Sequence, residues 1–141
     1  MKNQKHNGND LVKVISIFFC IVLMIFTFFT QQKKRHYNEA KILPFLNVQL
    51  ENVADGRYES TTVTSFMQLT VLVTVKDHQL TAIKIIENKG SRGQKIESMI
   101  PLMLEKNTAI VSVPKGDEIG GLVFISCVDG ALAKGNRNSA D

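Results

Sequence analysis

Apolar side chains run almost unbroken from Val14 to Thr30, with no charge, proline or glycine and only small hydroxyls among the polar groups. With Leu11 and Val12 this approaches the roughly 20 residues that cross a hydrocarbon core as a helix, at about 1.5 Å per residue. Lys13 stands where its amine can snorkel to the headgroups. A cleaved signal peptide has a shorter apolar core, and Gln31-Gln32-Lys33-Lys34-Arg35 is a poor cleavage context. Cys20 follows Phe18-Phe19 where a lipoprotein anchor needs small residues. The pattern is that of a single uncleaved membrane anchor.

Beyond the anchor the period changes. Residues 37–51 form a connector broken by Pro44, with Ile42, Leu43, Phe45 and Leu46 apolar enough to dock on a domain or on the membrane surface. Asp55-Gly56 signals a turn into residues 57–64, a strand rich in β-branched and aromatic side chains. In residues 68–76, Leu69, Val71, Val73 and Val75 share one face and Thr70 and Thr74 the other. That period of two marks a half-buried antiparallel strand. Asp77-His78 makes a tight turn, since His tolerates positive φ better than most residues. Residues 80–87 return as a third strand, with Ile83, Ile85 and Ile86 apolar, completing a β-meander.

Residues 88–93 are a glycine-containing loop, either a plain strand-to-helix connection or a ligand-contacting loop. Residues 94–106 read as an amphipathic helix, with Ile96, Met99, Ile100, Met103 and Leu104 at helical spacing. Pro101 inside that pattern predicts a kink or an early break, and the methionines read as core filling. Residues 108–113 alternate as a short strand. The glycine-rich turn 115–121 then leads into a helix carrying Val123, Phe124, Cys127, Val128, Ala131 and Leu132 inward. The expected class is α+β: one N-terminal transmembrane helix, then a small domain with an antiparallel β-meander and two helices. Its partition is a disordered lead (1–10), the anchor (11–31), a basic connector (32–52), the domain (53–134) and a disordered tail (135–141).

Charge changes little in this picture. The net charge is +4, but Lys2, Lys5, Lys13, Lys33, Lys34, Arg35 and Lys41 flank the anchor, where anionic lipids favour them. Residues 51–134 hold nine basic and ten acidic residues, with no basic patch interleaved with aromatics, which disfavours a nucleic-acid surface. The flanking charges nearly balance and do not set orientation. Cys20 and Cys127 cannot pair if one lies in a bilayer. His6, His36 and His78 are scattered, so no metal site is indicated. No nucleophile, base and orienting group assemble into a catalytic set.

One stretch carries candidate chemistry. Lys115-Gly116-Asp117-Glu118 precedes a helix N-terminus, where free N–H groups and the helix dipole can receive a phosphate. From Asp55 to Leu132 the order of landmarks resembles the small FMN-binding domain found in flavin-carrying subunits of Rnf-type and sodium-pumping NADH:quinone oxidoreductase complexes, above all their short, singly anchored relatives. The landmarks are Asp55-Gly56-Arg57-Tyr58, the strand ending Val75-Lys76-Asp77, Ile83-Lys84-Ile85-Ile86-Glu87, the loop Lys89-Gly90-Ser91-Arg92-Gly93 with Lys95 and Glu97, Met99-Ile100-Pro101, and the terminal Ala131-Leu132.

The resemblance implies an outward-facing domain on the cell membrane. FMN would be its cofactor, with the isoalloxazine against Gly90–Gly93 and the Gly116 turn, and redox-complex subunits and a flavin transferase its partners. The family pattern is Ser/Thr-Gly-Ala-Thr, whose last Thr hydroxyl is esterified by FMN. Aligned on Ala131-Leu132, that pattern falls on Lys115-Gly116-Asp117-Glu118, so Glu118 has no hydroxyl to offer and any FMN would be non-covalent. Asp117 and Glu118 would also repel a phosphate, each contact at about 4 Å costing on the order of 4 kcal/mol at an effective dielectric near 20. The two expectations are a redox-carrier component with a degenerate flavin-attachment motif and a cofactor-free relative serving as a membrane-tethered binding or assembly module.

Overall fold

The computed structural model describes residues 7–136, so residues 1–6 of the expected lead and 137–141 of the expected tail lie outside it. The chain divides into two units at Arg35/His36, described in turn.

Helix α1 spans Asn7–Lys41. It starts inside the stretch expected to be a disordered lead, with Asp10 in its first turn, where a carboxylate complements the dipole. In the first unit it carries one stretch long and apolar enough to cross a membrane. Phe18, Met24 and Phe26 are each about two-thirds exposed (67 %, 71 % and 65 %), far more apolar surface than water tolerates in one patch. Both of its threonine hydroxyls are satisfied internally: Thr27 Oγ1 donates to the Met24 carbonyl and Thr30 Oγ1 to that of Thr27, both at 2.9 Å. A bilayer requires that economy of any spanning segment.

In the second unit the last turns of α1 belong to the folded domain, which corrects the expected connector at 32–52. Ala40 is fully buried, the His36 ring stacks on Phe66 at 4.6 Å, and Glu39 accepts the Ser65 amide at 2.6 Å. Of the four apolar connector residues, Leu43 packs on the core, whereas Ile42, Phe45 and Leu46 stay exposed.

The sheet has the order β1-β2-β3, antiparallel throughout, with β1 at Gly56–Val63, β2 at Met67–Lys76 and β3 at Gln79–Gly90. Asp77 and His78 both take positive φ, 51° and 58°, matching the right-handed twist of a two-residue hairpin. The alternation of β2 holds, with Leu69, Val71, Val73 and Val75 buried. Thr70 is also buried, paired to Thr61 Oγ1 across the ladder at 2.9 Å. Strand β3 departs from simple alternation because the register shifts twice, leaving Thr81 and Ile86 as extra residues. The first bulge lets Leu80 and Ile83, three apart, both face the core; the second turns Ile86 outward.

The predicted helix at 94–106 is two pieces. A 3-10 turn covers Ile96–Met99, and α2 covers Ile100–Lys106 with Pro101 in its first turn, where a missing N–H costs nothing. Proline therefore starts this helix and does not kink it. Asn107 ends it at φ 52° and its side chain accepts the Leu80 amide at 2.7 Å. The strand expected at 108–113 keeps its alternation, Ala109 and Val111 in and Ile110 out, but it joins no ladder.

Helix α3, Glu118–Lys134, organises this unit. One side lies on β1 and β2, where the buried Cys127 Sγ donates to the carbonyls of Ser60 and Leu69 at 3.3 and 3.4 Å. Burial pushes that thiol's pKa up. The other side is covered by the connector: Ser126 Oγ donates to the Pro44 carbonyl at 3.0 Å. Asp129, with no exposed surface, accepts the consecutive amides of Leu46, Asn47 at 2.9 Å and Val48 at 3.0 Å. With Asn47 at φ 49°, those amides form a concave nest that suits an anion.

Candidate functional site

The turn before α3 is built from glycine freedom and from carboxylates that accept amides outside the helix. Gly116 sits at φ +84°, which its lack of a Cβ makes cheap, and its amide donates to Glu118 Oε1 at 2.8 Å. That bond, Glu118's own amide and the charge of Lys95 hold the Glu118 carboxyl below its usual pKa. A lowered folded-state pKa stabilises above the unfolded value and is lost as pH falls through the folded one. Glu118→Gln is therefore expected to lose this small contribution near pH 7 and to match wild type at the acid end, so its stability declines less below about pH 4, where a free Glu titrates. Thermal melts of both proteins from pH 3 to 7 check this.

Asp117 does something else. It is buried, and its carboxylate leaves the helix end to bridge the glycine loop. Oδ1 accepts the Gly93 amide at 3.0 Å and Oδ2 the Lys95 amide at 2.9 Å, so both oxygens are used by backbone donors from 22 and 24 residues earlier. Lys95 Nζ closes the outer side on the Lys115 carbonyl at 3.2 Å. The expected residues Gly93, Lys115, Gly116, Asp117 and Glu118 thus meet in one place.

Gly90 does not join them. It ends β3 at φ +137°, and a Cβ there would lie 2.3 Å from the Phe66 carbonyl oxygen, so its role is backbone clearance beside β2. The residue missed by pattern reading is Gly120. A Cβ on it would fall 2.5 Å from both Asp117 Oδ1 and the Gly93 nitrogen. Its only trace in the sequence is a Gly120-Gly121 pair inside an otherwise apolar helix, where glycine is unfavourable unless closeness demands it. Gly121 meets a like demand from Val113, at 2.9 Å.

Comparison with protein-family models, with curated proteins and with solved structures finds no match to this chain.

Proposed function

We propose that this protein is a membrane-tethered binding or assembly module, built on a scaffold like that of the small FMN-binding domains and working without the flavin. The observation that carries the reading is Asp117. The two glycine-loop amides that face the turn already have an acceptor, a carboxylate built into the chain. A phosphate of charge near −2 at the start of α3 would lie beside that buried carboxylate and be repelled by it. The residues at the turn do not fit FMN. Glu118, at the position where the resembling family carries an esterified hydroxyl, has its carboxylate on Gly116.

The apolar stretch of α1 supplies the tether. The resemblance puts the domain on the outer face of the cell membrane, single-pass, beside the lipid bilayer and whatever complex it helps to assemble. The competing reading, an electron-carrying flavoprotein with redox-complex subunits and a flavin transferase as partners, keeps the support of the ordered landmarks from Asp55 to Leu132. Co-expression of the full chain with a flavin transferase separates the two. The expected product is a folded, colourless protein with no in-gel fluorescence after denaturation. A fluorescent band would restore the carrier reading and move the attachment point away from Glu118.

A further inference from the structure

A binding module needs a binding surface, and the outer edge of β3 supplies one. Among the described residues, β2 is the one strand that β3 pairs with. At its start the edge is closed, because the Leu80 amide donates to the Asn107 side chain. Further along, among the described residues, the main chain of residues 82–87 makes no hydrogen bond outside the β2 ladder. The two bulges, at Thr81 and Ile86, bracket a regular run at 82–85. Against that run lies an open groove of about 410 Å³, lined by Ile83, Lys84, Ile85, Glu97, Ile100 and Pro101. One wall is therefore a free strand edge, and the other is the 3-10 turn and first turn of α2.

Resting on the binding-module reading, we propose that this groove takes a short extended segment of a partner protein as a fourth strand of the sheet. Free backbone donors and acceptors along one wall select an extended main chain, because a helix has already used its own. The partner segment has an apolar residue at alternate positions, over Ile85, Ile100 and Pro101. It has an acidic residue between them, across from Lys84. The bulges limit the ladder to about four residues, roughly 13 Å of strand. A second copy of this chain fits poorly. Antiparallel self-pairing that uses all of 82–85 sets Ile83 opposite Lys84 of the other copy, an apolar side chain against an ammonium, which is an unfavourable cross-strand pair.

The test uses the full chain in lipid nanodiscs to select from a displayed library of random decapeptides, the winners being synthesised as probes. The proposal expects winners with alternating apolar residues and an intervening acid, and slowed amide exchange at residues 82–87 when they bind. It also expects loss of binding when alternate peptide amides are N-methylated. Lys84 is exposed, so Lys84→Glu leaves the fold intact. It is expected to weaken those peptides about tenfold and to turn the selected acid into a base. Failure to enrich any sequence overturns the proposal. So does binding that survives N-methylation, or exchange protection elsewhere. The flavin experiment is read from absorbance and fluorescence, so a failure of the binding-module reading is seen separately from a failure of this groove.

Discussion

Replacing Asp129 with Ala is expected to lower the melting temperature of the domain by at least about 12 °C. The reasoning is local. Three consecutive amides, those of Leu46, Asn47 and Val48, point at one buried carboxylate that forms no ion pair among the described residues. Hydrogen bonds to a charged group contribute about 1.5–3 kcal/mol each, and a buried donor left without an acceptor costs about 1–3 kcal/mol. Even with water reaching some of the amides, a loss of about 3 kcal/mol follows, and each kcal/mol moves the midpoint by about 4–8 °C in a domain of this size. Asp129→Asn is expected to fall between wild type and Ala, since its oxygen still accepts while its NH₂ faces a donor. Melts of the full chain in detergent measure both. A midpoint within about 3 °C of wild type for Asp129→Ala would mean that the connector is not held by this side chain.

Gly120→Ala is the second large effect, expected to destabilise by about 2–4 kcal/mol. Inside a helix, Gly to Ala ordinarily gains up to about 1 kcal/mol, so the sign itself is informative. Here the new methyl would lie 2.5 Å from the Gly93 nitrogen and 2.6 Å from its Cα. Both are backbone atoms of a loop already fixed by Asp117 and cannot swing away as a side chain could. Gly130 on the same helix is the control. A Cβ there meets only the Ser60 hydroxyl, at 3.1 Å, and Gly130→Ala is expected within about 1 kcal/mol of wild type. Urea unfolding of the two variants side by side separates contact from propensity. Equal midpoints would remove the close approach of α3 to the glycine loop.

The legible parts of this chain were those where one element decides its own pattern. The long apolar helix follows from composition, β2 from strict alternation, and the Asp77-His78 hairpin from turn chemistry. Where two elements decide together, pattern reading fell short. Leu80 and Ile83 are three apart in a strand of period two, and only the pairing with β2 shows that Thr81 is the extra residue. Residues 108–113 alternate as a strand should, yet alternation reports which face is buried, not whether a ladder partner is present. Pro101 reads as a kink until the preceding turn is known to be 3-10. Asp117 reads as part of the turn before a helix, and Asp129 carries no local signal. Their partners are amides more than 20 and more than 80 residues earlier, beyond the reach of any local signal.

The resemblance points to the turn before α3, where Asp117 and Glu118 accept backbone amides of the chain itself. Lys115, Gly116 and Gly93 meet at this turn, and Asp117 supplies a carboxylate from within. The most direct measurement is therefore a titration of FMN into the full-length protein in detergent, followed by flavin fluorescence and thermal midpoint together. With the amides of Gly93 and Lys95 already bound to Asp117, the expected result is no saturable quenching and no rise in midpoint up to about 100 μM FMN. A bound ligand at one hundred times its Kd would add about 2.7 kcal/mol and be unmistakable. Saturable quenching with a matching rise in midpoint would contradict the reading and return the protein to the flavin carriers.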